Sequence, residues 1–183
     1  MTANGASFGI GLTVPHWRSG VNGAQASGRL DWGALSAYVS AMANHPLADP
    51  LAWRPVKAPS LAEFEALAHE AFSRLPEEFR ARCVDLVIRV EDYATEDVLD
   101  DMNISSELGL LGLFQGVGLP FQSGSDPAQM PNMVWLYRVP MLLYWAEHDE
   151  SLNAVITHVL VHEIGHHFGL SDDDMEAIER AAD

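Results

Sequence analysis

The clearest periodic pattern in the chain lies near its C-terminus. Six apolar residues recur there at helical spacing and predict a helix over residues 152–168: Leu152, Val155, Ile156, Val159, Leu160 and Ile164. Ser151 precedes this pattern and is suited to be an N-cap, while Gly169 follows it and can end a helix. The pattern therefore predicts one long helix with a definite start and stop.

A second helix is predicted from Leu61 onward. Ser60 and Glu63 have the spacing of a capping box, in which the side chain of each residue accepts a hydrogen bond from the backbone N–H of the other. The apolar residues that follow form one stripe, as expected for a helix that packs on a core: Leu61, Phe64, Leu67, Ala68 and Phe72.

The other predicted elements are strands and short helices. Strands are expected where aliphatic and β-branched residues dominate, over residues 83–91, 110–115 and 133–139. Short helices are expected over residues 76–82, 140–145 and 172–182, and residues 95–102 form either a short helix or an acidic loop. Pro140 is expected to open its helix, because proline suits the first helical position. Together these elements predict an α+β domain with a small mixed sheet packed on helices.

Residues 1–57 differ from the rest of the chain. The first thirty residues are rich in Gly, Ala, Ser and Asn, and four prolines punctuate the chain from Pro46 to Pro59. Residues 1–57 are therefore predicted to be a partly flexible, less ordered arm and linker, with a short helix over residues 32–43, and residues 58–183 to be the folded domain. Three tryptophans indicate that part of the arm packs on the domain: Trp17, Trp32 and Trp53.

Composition and net charge restrict the classes of molecule that the chain is expected to bind. The chain has 183 residues, of which 48% are apolar, so it can bury a sizeable core. Its 10 basic and 26 acidic residues give a formal net charge of −16, which disfavours binding to nucleic acid or an anionic membrane. This charge favours solubility and can also attract cationic peptides. The composition does not indicate an oligomeric state.

Cysteine content and hydropathy bear on the compartment. Cys83 is the single cysteine, so it cannot form an intramolecular disulfide, and this suits a reducing compartment such as the cytoplasm. No window approaches 18 apolar residues, and the start of the chain lacks the basic and apolar regions of a secretory signal. We therefore expect a cytoplasmic protein.

The C-terminal helix carries the pattern H-E-x-x-H at His162, Glu163 and His166. Residues i and i+4 of a helix lie on one face, so the two imidazoles can bind the same ion. Glu163 lies at the edge of that face, where it can reach a metal-bound water without being a ligand. This arrangement is typical of zinc hydrolases, in which zinc lowers the pKa of its bound water to about 7 and a carboxylate acts as the general base.

The sequence around this motif resembles known families. H-E-x-x-H-x-x-G followed by a ligand resembles the metzincin arrangement, with Asp172 in the place of the third histidine. Residues 60–183 are similar in the order of their motifs to a small bacterial zincin-like metallopeptidase family, once listed as a domain of unknown function. The matching stretches are L-P-E-E-F at 75–79, V-I-R-V-E-D at 87–92, L-L-G-L-F-Q-G at 110–116, V-W-L-Y-R at 134–138 and the region from His162 to Met175. The resemblance implies a minimal zincin fold and a zinc peptidase activity.

The third metal ligand has more than one candidate. Asp172 fits the metzincin-like spacing, and Gly169 can reverse the chain so that this carboxylate returns to the ion. Glu176 is the alternative if the terminal helix supplies the ligand, and Asp173 and Asp174 are neighbouring carboxylates. An acidic run is also typical of a solvated helix N-terminus. We favour Asp172, with His162 and His166, as the zinc ligands.

Two further histidines flank the motif. His167 points about 100° away from His166, so a surface or packing role is expected. His158 lies one turn before His162 on the same face, where it can support a ligand, line the cleft or simply pack.

The expected function is hydrolysis of peptide bonds in a peptide or protein substrate, with Glu163 as the general base. The alternatives are a metal-binding module that recognises peptides without turnover and a zinc amidohydrolase that acts on a non-peptide substrate. Four side chains could stabilise the oxyanion: Tyr137, Arg138, Tyr144 and His158. By the same resemblance, the predicted strand at residues 133–139 or at 110–115 could pair with an extended substrate.

Overall fold

A computed structural model describes residues 8–10, 55–121 and 131–175, with the backbone alone at residues 8–10 and at Phe121. The helix predicted over residues 32–43, the part of the proline-rich linker before Pro55 and most of the N-terminal arm lie outside these ranges. The described residues form four strands and five α-helices. The strands are β1 (Phe8–Ile10), β2 (Val87–Glu91), β3 (Gly112–Gly116) and β4 (Met133–Tyr137). The helices are α1 (Leu61–Arg74), α2 (Glu77–Arg80), α3 (Glu96–Asp101), α4 (Arg138–Glu147) and α5 (Leu152–His167).

The strands form one mixed sheet in the order β1-β3-β4-β2. β2 runs parallel to β4, whereas β3 is antiparallel to both β4 and β1. The predicted α+β class with a small mixed sheet is therefore confirmed. β4 lies between β2 and β3, so the prediction that it could be an edge strand for a substrate is wrong. The strand β1 was not predicted and lies within the part of the chain expected to be a less ordered arm.

The helix α5 is the central element of the fold. It packs against α1, α4, β3 and β4, and every residue from Ala154 to His167 is buried. The apolar pattern predicted one buried stripe, but the polar residues of this helix are buried as well. The main core surrounds α5, and its fully buried residues include Phe64, Phe79, Leu136, Met141 and Leu160. The polar motif is therefore held in the interior, where its neighbours fix its position.

The predicted helix caps are confirmed by hydrogen bonds. The Ser60 backbone N–H donates to Glu63 Oε2 over 2.8 Å, and the Ser60 hydroxyl accepts from the Glu63 N–H, which completes a capping box at α1. At α5 the Ser151 hydroxyl accepts from the Ala154 N–H over 3.1 Å. Each cap satisfies a donor that the first turn of a helix leaves free, so local sequence fixes where both helices begin.

Several predicted boundaries differ from the structure, and two of these differences concern residues singled out in the sequence. β2 begins at Val87, and Cys83 lies in a turn before it, although the thiol is buried as expected. The helix α4 begins at Arg138 directly after β4, so Pro140 is its third residue. The first four N–H groups of a helix have no partner within it, which is why a proline is tolerated there.

The guanidinium of Arg138 secures the start of α4. Its Nε donates to Asp92 Oδ1 over 2.7 Å, and its Nη1 donates to the Pro59 carbonyl over 3.0 Å. These bonds tie α4 to the end of β2 and to the segment before α1. No helix within the described ranges is long and apolar enough to cross a lipid bilayer.

Candidate metal centre

The helix α5 brings His162 and His166 together, as their spacing predicts. The ring centroids are 4.8 Å apart and the ring planes are nearly perpendicular, at 79°. Both residues are buried. The Nδ1–H of His166 donates to the Leu170 carbonyl over 2.8 Å, which sets its tautomer and leaves Nε2 as the nitrogen with a lone pair.

The chain reverses after α5 and returns a carboxylate to the two histidines. Gly169 has a φ of 83°, a conformation that glycine adopts at little cost, and the Leu170 N–H donates to the Gly165 carbonyl. Asp172 Oδ1 consequently lies 3.2 Å from His162 Nε2 and 3.2 Å from His166 Nε2. The imidazoles of His162 and then His166, beside this carboxylate, hold the pKa of Asp172 well below its usual range.

These three side chains have the geometry of a metal site. One ligand atom from each of His162, His166 and Asp172 lies within 4.8 Å of the others. Ligands about 2.1 Å from a tetrahedral zinc lie about 3.4 Å from one another, which is close to the two 3.2 Å distances. The side chain of Asp172 is 60% exposed, so the group is open to solvent on the carboxylate side. Three protein donors with one open side are typical of catalytic zinc sites.

The acidic run after Ser171 divides into separate roles. Asp174 accepts hydrogen bonds from the Ser171 N–H and hydroxyl, and its own N–H donates back to the Ser171 hydroxyl, so it caps the helical turn at residues 172–175. Asp173 is exposed. Glu176 lies outside the described residues, so its alternative role as a ligand stays a prediction. The cap fixes the turn on which Asp172 is carried.

Glu163 is completely buried between α5 and the sheet. It lies against β3 at Gly112, where an added Cβ would lie 2.9 Å from Glu163 Oε1 and 2.6 Å from Val159 Cγ1. Tyr137, at the end of β4, is near enough for the charge of Glu163 to affect it. Burial raises the pKa of Tyr137, and the charge of Glu163 raises it further. The strands thus fix Glu163 beside the two histidines.

The other two histidines of α5 are buried but differ in role. Asn132 Nδ2 donates to His167 Nδ1 over 3.2 Å, and the Nε2–H of His167 donates to the Arg82 carbonyl over 3.2 Å. His167 is therefore a packing residue, one of the two roles expected for it. The ring of His158 lies 6.4 Å from that of His162 at 28°. Burial, followed by the charge of His162, holds the pKa of His158 well below its usual range, so this imidazole is neutral.

The structure separates the four candidates for oxyanion stabilisation. Arg138 is engaged by Asp92 and Pro59, as described above. Tyr144 stacks on His148 at 3.8 Å and lies near Glu150, so it belongs to the turn before α5 rather than to the metal centre. Tyr137 and His158 remain as the two candidates near the motif.

Three supporting residues were not identified from the sequence. Gly112 was noted only as part of a family-like stretch, although an isolated glycine in an apolar strand is a signal of close backbone approach. Met175 packs against Gly165, where an added Cβ would lie 2.3 Å from its sulfur. Asn132 binds the backbone of Val117 in both directions and also contacts His167. Asn132 joins residues that are 15 and 35 positions away in the chain, so its contacts have no local sequence signal. The packing of Met175 on Gly165 depends on the chain reversal and has no such signal either.

Comparisons with known proteins agree with this geometry. A search of curated proteins finds no significant match. The profile of a family described as zincin-like metallopeptidases matches residues 83–182, which include β2, β3, β4 and the motif from His162 to Asp172. This stretch is more than half of the chain, and the chain therefore belongs to the zincin-like metallopeptidase family.

Proposed function

We propose that the chain is a zinc-dependent peptidase that hydrolyses peptide bonds in peptide or protein substrates. Family membership supports the class of hydrolase. The observation that carries the finer proposal is the meeting of two histidine nitrogens and one carboxylate oxygen beside a fully buried glutamate. A purely structural zinc site would have no need of that glutamate and would be closed by a fourth protein ligand.

The proposed zinc ligands are His162 Nε2, His166 Nε2 and an oxygen of Asp172. Two neutral imidazoles and one carboxylate suit zinc, and the bond from His166 Nδ1 to Leu170 orients one of the rings. When bound, zinc would supply a Lewis acid for the substrate carbonyl and lower the pKa of a coordinated water. A dication here would also balance the buried carboxylate of Glu163, which would otherwise be costly in the interior.

In this proposal Glu163 moves the proton. Its carboxylate accepts a proton from the attacking water and delivers it to the nitrogen of the leaving amine. Its burial against Gly112 keeps it in one position and excludes bulk water from it. Tyr137 and His158 are the two side chains near the motif that are proposed as donors to the developing oxyanion. The net charge of −16 supports substrates that are neutral or cationic over nucleic acids and anionic membranes.

The first test separates metal binding from catalysis. Alanine at His162, His166 or Asp172 should strongly reduce zinc content, whereas Glu163→Gln should keep zinc and reduce hydrolysis by roughly a hundred- to ten-thousand-fold. The measurements are zinc per chain and cleavage of an unbiased peptide library, with and without a chelator. Asp173→Ala is the matched control, because this exposed neighbour should change neither quantity.

The proposal has definite points of failure. Zinc retained in the alanine variants would remove these residues as ligands. Full turnover by Glu163→Gln would remove the glutamate from the mechanism. A zinc-loaded protein that cleaves no peptide would instead favour a binding module or an amidohydrolase acting on another substrate.

A further inference from the structure

The outer edge of β3 is covered by a distant part of the same chain. β1 pairs with β3 in antiparallel register, with Phe8 opposite Gly116 and Ile10 opposite Phe114. β3 is also the strand that approaches the catalytic helix, since Gly112 abuts Glu163. The N-terminal segment therefore lies on the sheet edge that leads to the metal centre.

The hydrogen-bonding direction of β3 can be deduced from its other neighbour. The Leu111 carbonyl accepts from the Tyr137 N–H, so the backbone groups of Leu111 point towards β4. Backbone groups alternate in direction along an antiparallel strand. Those of Gly112, Phe114 and Gly116 therefore point to the outer edge. β1 pairs with the last two of these residues, and Gly112 lies two positions further along, beside Glu163.

The direction of β1 is informative as well. It runs from Gly116 towards Phe114, so a strand continued in this register would next pass Gly112 and reach the catalytic residues. An extended peptide bound in the same register would pair first with Phe114 and then with Gly112, where its backbone would lie near Glu163. Such pairing gives affinity through main-chain hydrogen bonds and requires no particular side chain.

By the family resemblance, the outer edge of β3 is a place where an extended peptide substrate is expected to pair. We propose that Phe8–Ile10 occupy this edge as an intramolecular competitor of the substrate. This inference rests on the proposed peptidase function. The occupying segment carries no charged side chain, in keeping with the neutral or cationic peptides expected for this acidic chain. Because the competitor belongs to the same chain, its occupancy does not fall on dilution, and a substrate must displace it before it is cleaved.

The proposal predicts that the backbone N–H of Ile10 decides whether β1 occupies the outer edge of β3. Ile10 lies opposite Phe114, whose groups face β1, so its N–H bonds to β3, whereas Gly9 lies opposite Gln115 and its N–H points away. Ile10→Pro should therefore release the edge, and Gly9→Pro is the matched control that keeps the ladder. The full-length chain is used, with Glu163→Gln in the background so that bound peptide stays intact.

The binding probe is a labelled synthetic peptide with the sequence of residues 5–13. If the edge is free in about one tenth of wild-type molecules, Ile10→Pro should bind this peptide about tenfold more tightly, and Gly9→Pro should bind it like the wild type. Amide hydrogen exchange at Phe114 and Gly116 should be faster in Ile10→Pro without peptide. Unchanged exchange, or faster exchange without tighter peptide binding, would overturn the inference.

A second measurement needs no change in β1 and so does not depend on the folding of that variant. Saturating peptide should speed exchange at the Phe8 and Ile10 amides of the chain by displacing them, and unaltered exchange at saturation would overturn the inference. Neither measurement requires turnover. Peptide displacement without cleavage by the unsubstituted Glu163 enzyme would contradict the peptidase function alone, whereas cleavage without displacement would contradict only the competitor.

Discussion

Gly112 sets how closely β3 can approach α5. Its backbone is that of an ordinary strand, but any side chain there would enter the space of Val159 and Glu163. An added Cβ would lie 2.9 Å from Glu163 Oε1, a separation that forces either the carboxylate or the strand to move. A single hydrogen atom in the place of a methyl group thus determines where the proposed general base lies.

Gly112→Ala should consequently impair catalysis more than metal binding. Overpacking a close contact of this kind costs about 1–3 kcal/mol of stability, and displacement of Glu163 should lower kcat at least about tenfold. The measurements are zinc content, the unfolding free energy and kcat on a cleaved peptide. Gly109→Ala is the control, because its Cβ would meet only the end of Ile104, at 3.1 Å. Normal kcat in Gly112→Ala would show that Glu163 tolerates the shift.

At the level of single residues, the sequence predicted a position where reactive side chains also have the spacing of a known structural element. His162, Glu163 and His166 could be placed because one helical turn fixes their relation, and Asp172 because Gly169 permits one simple chain reversal. Gly112 could not be assigned a role from sequence. Its function depends on the register of β3 against α5, which is a property of tertiary packing.

Among the elements, the turn after α5 has a buried anchor in addition to its hydrogen bonds. Met175 is 2% exposed and packs against Gly165, between the two proposed histidine ligands in sequence. Because Met175 and Asp172 share one helical turn, the anchor also holds the carboxylate at its distance from the histidines. Gly165 is the residue that leaves room for the anchor.

Met175→Ala should therefore weaken zinc binding in addition to lowering stability. Loss of a buried methionine costs about 2–5 kcal/mol in a core, so stability alone cannot identify the role of this side chain. Met141→Ala is the matched control, because Met141 is also fully buried but lies on α4. Zinc affinity, measured by competition with a chromogenic chelator, should fall only in Met175→Ala. An equal fall of zinc affinity in both variants would show that the loss comes from a general loosening of the core and not from the position of Asp172.

The elements divide between those that local sequence specifies and those that it does not. α1 and α5 were predicted with their caps because Ser60 and Ser151 satisfy backbone donors within three residues. β1 was missed because the glycine and serine content of its segment indicated a flexible arm, although Phe8, Ile10, Leu12 and Val14 alternate there with small or polar residues. Its pairing partner is more than a hundred residues away, so its place in the sheet has no local signal.

For the molecule as a whole, Cys83 reports on the integrity of the main core. The residue is 4% exposed and belongs to the same cluster as Phe79 and Leu160. Burial raises the pKa of its thiol from 9.0 to about 11. The thiol can therefore ionise readily only when this part of the core opens.

The native protein should resist thiol alkylation at pH 8. A rise of two pKa units lowers the thiolate fraction about a hundredfold, and burial slows the reaction further. Iodoacetamide labelling followed by mass spectrometry, in buffer and in denaturant, measures the difference. Equal rates in both solutions would show that Cys83 is accessible in the folded state.

The same shift gives a definite pH dependence. The folded pKa lies above the unfolded one, so the contribution of Cys83 to stability is complete below pH 9.0 and is lost as the pH rises towards 11. Cys83→Ala should flatten this part of the stability profile. An unchanged alkaline slope in the variant would assign the loss to other groups.

The class of the whole domain could be predicted, but its sheet order could not. Alternating strands and helices and the position of the motif indicated an α+β zincin-like domain. The parallel pairing of β2 with β4 and the position of β4 inside the sheet depend on contacts between distant segments, such as the bonds of Arg138 to Asp92. The predicted division near residue 57 remains a prediction, because little of the arm is described.

The burial of α5 from Ala154 to His167 has a consequence for how this protein could be re-engineered or could diverge. Between Ala154 and His167 the helix has no solvent-facing position at which a substitution is free of packing cost. Variation in specificity is therefore expected to accumulate outside the helix, for example along the outer edge of β3. The buried residues of the candidate metal centre are therefore expected to tolerate little substitution, whereas the exposed positions around it can vary.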